Sequence, residues 1–150
     1  MRFNEKFDEI KNDKIMLKII EKNQGNENTI PFYYYDIYLL NTNKQIGKIS
    51  IRIGNDYSSY YNGNIGFEIN KDDQGNNYSY HASKLVIEVA KYHGMEYLNL
   101  SCEHDNIASS KIIEKLGSVF IEETVPPKDY VFYYEGISKH KIYRLSIWLD

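Results

Sequence analysis

Two hydrophobic periodicities, which predict four successive elements, occur in the segment NIGFEINKDDQGNNYSYHASKLVIEVAKYHGMEYLNLSCEHDNIASSKIIEKLG, residues 64–117. Apolar and polar residues alternate over residues 64–69, which is typical of a strand with one buried face. Over residues 82–90 the apolar spacing becomes three and four, as on one face of a helix. Alternation returns over residues 96–102, and residues 106–116 follow a second helical pattern. The segment therefore predicts strand, helix, strand and helix, in that order.

The rest of the chain contributes mainly strands. The predicted ones are Lys14–Lys22, Phe32–Leu40, Gln45–Ile53, Val119–Glu122 and Lys141–Leu149. The first three are separated by polar turn residues, so we expect them to pair antiparallel. Apolar residues three and four apart predict a short amphipathic helix over Phe3–Ile10, and residues 54–63 are expected to form a loop. The pattern predicts an α+β fold, a mixed, mostly antiparallel sheet of about seven strands flanked by helices.

Length, composition and charge restrict the class of protein. The chain has 150 residues, of which 42% are hydrophobic and 26% charged, which predicts one globular domain over residues 1–150. Its net charge of -3 provides no cationic field for a polyanion, so we expect no nucleic-acid partner. The single cysteine, Cys102, excludes a disulfide framework and a multi-cysteine zinc site, and we predict no metal.

The N-terminal region indicates where the protein resides. The stretch MRFNEKFDEIKNDK is charged and lacks the apolar core of a signal peptide. No apolar run in the sequence approaches the roughly 18 residues of a membrane-spanning helix. We therefore expect a soluble, cytoplasmic protein without a membrane partner, as a monomer or a homodimer.

Residues 74–79 (QGNNYS) join the first strand of the segment to its long helix and suit an anion site. Backbone N–H groups at a helix N-terminus attract phosphate groups. Gly75 adopts positive φ freely, and Asn77 tolerates it better than most residues. A Gly-Asn turn before a helix is also common without a ligand, so these residues alone leave both interpretations open.

Two motifs in residues 64–117 resemble those of the GNAT-type N-acetyltransferase superfamily. The family's coenzyme loop has Gln or Arg, two residues, Gly, one residue, and then Gly or Ala. Here Gln74, Asn77 and Ser79 stand at the three places. The family's second motif begins with Asn and ends with Glu-Lys-Leu-Gly, and here it runs from Asn106 to Gly117. One helix and one strand separate the motifs, as in the family.

The resemblance implies a GNAT-like fold and acetyl-CoA as cosubstrate. Ser109 and the adjacent Ile112-Ile113 pair are most similar to the branch related to ribosomal-protein N-terminal acetyltransferases. Acetyl-CoA would lie in a V-shaped opening between the strands that end at Ile69 and Cys102, and a strand amide would polarise its thioester carbonyl. The coenzyme-binding residues implied are Phe67, Ile69, Gln74, Gly75, Asn76, Asn77, Tyr78, Ser79, Asn106 and Ser109.

Glu68, Glu103 and Ser109 are the candidate catalytic residues. An alkylammonium must lose a proton before its nitrogen attacks a thioester, and a carboxylate beside the thioester accepts that proton directly or through water. Glu68 faces away from the apolar side of its strand and is our first choice, with Glu103 on the next strand and bulk water as alternatives. Ser109 is placed either to stabilise the departing thiolate or as an exposed helix serine.

Two departures from the family bear on activity. Family members carry two helices between the first and second strands, and these form a wall of the acceptor site. Residues 23–31 (NQGNENTIP) leave room only for a loop, so the helices are missing or are partly replaced by Phe3–Ile10. Many relatives also have a tyrosine that protonates the leaving thiolate, and Ile113 stands at the matching position.

These features predict direct transfer of an acetyl group from acetyl-CoA to a primary amine in a ternary complex. The acceptor is an amine-bearing small molecule or a protein N-terminus. The alternative is a CoA-binding regulatory module of the same fold without transfer activity, which both departures favour. Release of the coenzyme thiol in the presence of amines discriminates between the two functions.

Overall fold

The structure, a computed structural model, describes residues 1–148, which contain eight strands, three α-helices and two short 3-10 turns. The strands are β1 (Glu9–Lys11), β2 (Ile15–Asn23), β3 (Phe32–Leu39), β4 (Gln45–Arg52), β5 (Ile65–Ile69), β6 (Tyr97–Glu103), β7 (Val119–Thr124) and β8 (His140–Ser146). The helices are α1 (Tyr57–Asn62), α2 (Tyr78–Tyr92) and α3 (Ile107–Lys115). Leu149, where the last predicted strand ends, lies outside the described residues. Within residues 1–148, no helix is long and apolar enough to cross a membrane.

The strands form two antiparallel sheets. Strands β1 to β5 are neighbours in chain order, and the second sheet has the order β6-β8-β7. The hairpins predicted for β2, β3 and β4 are present, because short polar turns return the chain beside itself. The α+β fold with mostly antiparallel strands is confirmed. The described strands form two sheets where the sequence predicted one, and the eighth strand is the short β1.

The helix predicted over Phe3–Ile10 is wrong. Residues Glu5–Phe7 form one 3-10 turn, capped by the side chain of Asn4, and the chain then pairs with β2 as β1. Phe7 is buried, and its ring lies edge-on to that of Tyr92 with 5.2 Å between centroids. Strand pairing and the burial of this ring outweigh the helical spacing, because local propensity is a weak preference.

Residues 54–63 contain the helix α1, where the sequence predicted only a loop. Asp56 and Ser59 form a capping box, in which the N–H of Ser59 donates to Asp56 Oδ1 at 2.8 Å and the N–H of Asp56 donates to Ser59 Oγ at 2.9 Å. This reciprocal capping compensates for the weak helix propensity of Tyr, Ser and Asn. Gly63 ends the helix at φ 79°, where an added Cβ would lie 3.2 Å from Ser101 N. This close approach places α1 against β6.

The connection between β2 and β3 is a loop, as the sequence predicted, and the two family helices are missing there. Asn26 organises this loop, since its Oδ1 accepts from the N–H groups of Asn28 and Thr29 at 2.7 and 3.1 Å. No helix follows β2 to cover the sheet, so one face of β3, β4 and β5 stays accessible beside this loop.

The core lies on the other face of the five-stranded sheet, under α2. Tyr33, Tyr35, Ile49 and Ile51 are fully buried there, and Val86 of α2 packs in the same cluster. Because side chains alternate along a strand, the intervening residues of β3 and β4 point to the accessible face. The sheet therefore separates a packed apolar side from a polar side that is free to bind a ligand.

Candidate functional site

β5 and β6 meet at one point and diverge beyond it. Within the described residues, β5 pairs with β4 and β6 pairs with β8. The N–H of Asn64 donates to Asn99 O at 2.6 Å, and the N–H of Asn99 donates to Asn64 Oδ1 at 2.8 Å. Asn64 Nδ2 also donates to the carbonyl oxygens of Arg52 and Gly54. This fully buried asparagine joins the two sheets, and the facing strand edges beyond it form a cleft.

The main chain of Phe67 points into this cleft. The N–H of Asn70 donates to Ile46 O, and the N–H of Arg52 donates to Asn64 O, both at 2.8 Å. The even-numbered residues of the segment 64–70 therefore form their backbone hydrogen bonds with β4. Since the direction of backbone groups alternates along an antiparallel strand, the N–H and C=O groups of Phe67 face β6. An extended ligand in the cleft can pair with them as another strand would.

Apolar side chains and two hydroxyl groups line the inner part of the cleft. The apolar residues are Ile65, Phe67, Leu100, Ile113 and Leu116. Ser101 Oγ donates to Tyr61 O at 2.8 Å. Ser83 Oγ, from α2, is fully buried and has no hydrogen-bond partner among residues 1–148. A buried polar atom without a partner costs about 1–3 kcal/mol, so this hydroxyl fits a ligand that brings its own polar group.

The loop of residues 74–79 has the backbone shape that the sequence predicted. Gly75 has φ 87°, and Asn77 lies in the left-handed region with φ 62° and ψ 21°. The side chain of Asn77 does not cap α2, and the N–H groups of Tyr78 and Ser79 have no protein acceptor in the part of the chain described. An added Cβ at Gly75 would meet no atom within 4 Å. The N-terminus of α2 is therefore open to an anion.

The side chains of this loop stabilise its shape. Gln74 Nε2 donates to Ile69 O at 3.1 Å, and Asn76 Nδ2 donates to the 3-10 turn before the loop at 3.1 Å. Tyr78 packs against the core and Ser79 is buried. What the loop presents to a ligand is its main chain.

At the start of α3, Asn106 caps the helix as predicted, since its Oδ1 accepts from the N–H of Ser109 at 3.1 Å. Ser109 is half-buried and lies outside the residues that line the cleft, while Ser110 Oγ bonds within α3 to Ile107 O at 3.0 Å. Ile113 is buried and lines the cleft. The position that matches the family's tyrosine therefore faces the cleft with a side chain that has no proton to donate.

A larger cavity, of about 530 Å³, opens on the accessible face of the sheet. The loop of residues 28–30, the helix α1 and Phe132 form its rim. Its floor consists of alternate residues from three strands, namely Tyr34, Lys48, Ser50, Arg52, Gly66 and Glu68. Phe67 lines both this cavity and the cleft. The two sites therefore meet at the middle of β5.

Of the two predicted bases, Glu68 lines this cavity and Glu103 lines neither site. Glu68 is exposed on the cavity floor, one residue from Phe67. Glu103 lies at the end of β6, where its Oε1 accepts from Ser138 Oγ at 3.1 Å. The structure thus brings Glu68 together with the cleft and leaves Glu103 apart.

Arg52 extends over β5 at the bottom of the same cavity. Its Nη1 donates to Gly63 O at 3.0 Å, and a Cβ added to Gly66 would lie 3.2 Å from Nη2. Partial burial lowers the pKa of Arg52, because the half-buried cation loses hydration that one carbonyl replaces only in part. None of the ion pairs formed among residues 1–148 includes this guanidinium.

Sequence reasoning missed three residues of the site. Ser83 lies one turn after Ser79 on a helix face that is otherwise apolar, and this polar interruption is a signal that the sequence contains. Arg52 is visible in the sequence only as one of the polar residues of an alternating strand, and Asn64 only as the first residue of the next predicted strand. Their roles depend on contacts with distant segments, which no local pattern shows.

Residues 1–119 match the family model for the acetyltransferase (GNAT) domain. This chain belongs to the GNAT acetyltransferase family. A comparison with curated proteins found no match. No group of three or more potential metal-ligating side chains occurs in the described part of this GNAT chain.

Solved structures with the same fold include ribosomal-protein acetyltransferases, as the predicted branch implied. A proposed ribosomal-protein-serine acetyltransferase from Vibrio cholerae has a TM-score of 0.67 and 13% identity, with 93% of this chain and 97% of that chain covered. An acetyltransferase from Salmonella typhimurium that modifies the N-terminal serine of a 50S ribosomal subunit protein has a TM-score of 0.59 and 18% identity, with 77% of this chain and 64% of that chain covered.

Similar structures also include one that contains the acetyl donor. A microcin self-immunity acetyltransferase in complex with acetyl-CoA and AMP has a TM-score of 0.59 and 19% identity, with 77% of this chain and 61% of that chain covered. This GNAT chain therefore spans less than two thirds of the length of the microcin and Salmonella enzymes.

Proposed function

We propose that this protein transfers an acetyl group from acetyl-CoA to a primary amine. The observation that carries the proposal is the junction at Phe67, where the cleft between β5 and β6 meets the 530 Å³ cavity. A thioester in the cleft and an amine in the cavity would approach each other at this point. Such alignment removes much of the entropic barrier of a reaction between two molecules.

The donor side of the site has the features that acetyl-CoA requires. The N–H groups of Tyr78 and Ser79 at the start of α2 suit the pyrophosphate. The extended pantetheine arm carries amides that can pair with the free edge of β5, and the unpartnered Ser83 hydroxyl lies inside the cleft. The N–H of Phe67 is oriented to stabilise negative charge on the thioester carbonyl oxygen.

The acceptor nitrogen attacks the thioester carbonyl carbon, so that a C–N bond forms as the C–S bond breaks. The ammonium must first lose a proton, and Glu68 is our proposed base because its carboxylate lies on the cavity floor beside Phe67. Glu103 lacks this support, since it lies outside both sites. Ser109 is likewise outside the cleft lining, so its hydroxyl has no geometric support as a catalytic group.

The departing thiolate takes, through water, the second proton that the attacking nitrogen loses as the amide forms, and a hydroxyl that lines the cleft can stabilise the thiolate by donating its proton in a hydrogen bond. Ser83 and Ser101 are the cleft residues that have such a proton, since Ile113 occupies the position of the family's tyrosine. Ile113 is also the observation that favours a second function, a CoA-binding regulatory module that does not catalyse transfer. In that case, the cleft would bind the coenzyme without turnover.

Two measurements on the same protein test this proposal. Calorimetry measures acetyl-CoA binding, and a thiol-reactive dye measures release of free coenzyme A with a panel of primary amines. The transferase function predicts binding together with amine-dependent thiol release. Binding without release on any amine supports the regulatory module, and absence of binding at millimolar acetyl-CoA contradicts both functions.

A further inference from the structure

Most charged side chains that line the 530 Å³ cavity already have partners. Lys48 Nζ lies 3.0 Å from Asp36 Oδ1 in an ion pair. Asp56 Oδ1 accepts from the backbone at the start of α1 at 2.8 Å. Glu21 Oε2 accepts from Asn23 Nδ2 at 2.8 Å. These groups are held by the protein and are poorly placed to bind a substrate.

Arg52 forms no ion pair among residues 1–148, and the Glu68 carboxylate forms neither an ion pair nor a side-chain hydrogen bond there. Glu21 and Asp56 also form no ion pair, but each is hydrogen-bonded within the protein. A guanidinium has five N–H donors, and Gly63 O accepts from Nη1 alone, so several donors remain available. A desolvated cation without an anion is unfavourable. Arg52 therefore has free donors for a negative group. Glu68 can accept from a positive group, although Lys48, which is paired with Asp36, stands directly opposite it on β4.

The spacing of these two groups suits one small molecule. The Arg52 guanidinium lies over Gly66, and Glu68 follows two residues later on the same face of β5. Two strand residues span about 7 Å. Charge-assisted hydrogen bonds of about 2.8 Å at each end take up most of this span, so the amine and the carboxylate must lie close together, as they do in an α-amino acid.

We infer that the acceptor is an aminocarboxylate, a small molecule whose carboxylate binds Arg52 while its primary amine lies between Glu68 and Phe67. This inference rests on the proposed acetyl transfer, and it defines the substrate class of that same site. Bidentate binding by a planar guanidinium is the geometry that carboxylates favour.

A polyamine fits this cavity less well. It would place a second cation beside Arg52, where like charges repel. A protein N-terminus also lacks a carboxylate close to its amine unless an acidic side chain follows it. Both acceptors are outcomes that the experiment below distinguishes.

The test compares free amino acids with their carboxamides, which lose the negative charge and have a less basic amine, so each rate is expressed per neutral amine. Each pair is assayed for thiol release from acetyl-CoA, together with spermidine and a short peptide with a neutral N-terminal sequence. We expect the amino acid of a pair to have the higher kcat/KM, by roughly 10-fold or more, as for a hydrogen bond between charged groups at a half-buried site. Equal or higher rates with the carboxamides, spermidine or the peptide overturn the inference and leave acetyl transfer intact.

Variants connect this preference to one side chain. Arg52→Gln should remove the preference for the acid, because kcat/KM for the amino acid falls by more than kcat/KM for its carboxamide. Arg52→Lys retains the charge and should retain part of the preference. Lys22→Gln is the control, since Lys22 pairs with Asp8 and does not line the cavity, and it should leave the preference unchanged. A preference that survives in Arg52→Gln, with folding confirmed by circular dichroism, overturns the assignment.

Calorimetry in the presence of coenzyme A separates failure of the inference from failure of the proposed function. If no amine supports thiol release but an amino acid binds the wild type more tightly than Arg52→Gln, the cavity assignment stands and the transfer proposal fails. If transfer is absent and no amino acid binds through Arg52, both proposals fail.

Discussion

Asn77 provides the sharpest test of how the N-terminus of α2 binds the donor. Its backbone lies in the left-handed region at φ 62°, where a β-branched side chain is disfavoured. Left-handed backbone costs an L-residue about 1–2 kcal/mol, and Asn tolerates it better than most. Asn77→Val should therefore lower the free energy of unfolding by about 1–2 kcal/mol, or a melting temperature by roughly 2–8 °C for a chain of this size.

The same substitution should weaken acetyl-CoA binding, because relaxation of the strain moves the N–H groups of residues 78 and 79. Acetyl-CoA at 100 times its Kd raises the unfolding free energy by about 2.7 kcal/mol. If Asn77→Val raises the Kd tenfold, that gain falls to about 1.4 kcal/mol at the same concentration. The rise in melting temperature on adding acetyl-CoA should then be about half of the wild-type rise.

Asn41 is a matched control, since it is the other non-glycine residue of the described chain with positive φ, at 58°, and it lies in the turn after β3. Asn41→Val should cost similar stability and leave the acetyl-CoA shift unchanged. Asn77→Gly should retain both stability and binding. If Asn77→Val binds acetyl-CoA as tightly as Asn41→Val does, the loop is not the pyrophosphate site.

Three further predictions concern the cleft and the base. Glu68→Gln should lower kcat at neutral pH by ~10²–10⁴-fold, and the loss should be smaller at high pH, where more amine is already neutral. Glu103→Gln should change kcat little. A pH-rate profile with the reverse pattern would indicate that the base lies on β6. Ser83→Ala removes an unpartnered buried hydroxyl, so without ligand the free energy of unfolding should be unchanged or higher by about 1 kcal/mol. Calorimetry should show weaker acetyl-CoA binding, and an unchanged affinity would exclude a contact between Ser83 and the coenzyme. Asn106→Ala should lower the free energy of unfolding by about 1 kcal/mol, because the helix cap is lost, and it should raise the KM for acetyl-CoA. A loss of stability with an unchanged KM would show that Asn106 only caps the helix.

The sheet and the two long helices were predictable because their signals are local. Alternation in β3, β4, β5 and β6 and the helical spacing of α2 reflect burial of one face, which the sequence records residue by residue. The caps at Asn106 and the positive φ of Asn77 were also predictable from residue type. The prediction of an N-terminal helix was wrong because Phe7 packs against the ring of Tyr92, which is distant in the chain and has no signal in the N-terminal sequence.

The acceptor side of the site was less predictable for the same physical reason. The cavity is assembled from three strands, α1, the loop of residues 28–30 and Phe132, which are far apart in the chain. Glu68 was identified because the resemblance placed its strand beside the thioester. Arg52 was not, since its importance depends on which other charges already have partners. Pairing of charges is a property of the folded molecule and has no sequence pattern.

A crystal structure of the protein with acetyl-CoA tests the central claim most directly. We predict the pyrophosphate within hydrogen-bond distance of the N–H groups of Tyr78 and Ser79, and the pantetheine arm between β5 and β6. We also predict the thioester carbonyl at the N–H of Phe67, with the acetyl group facing the cavity that contains Glu68. Acetyl-CoA bound away from the β5 edge, or with its thioester out of reach of the cavity, would contradict the account.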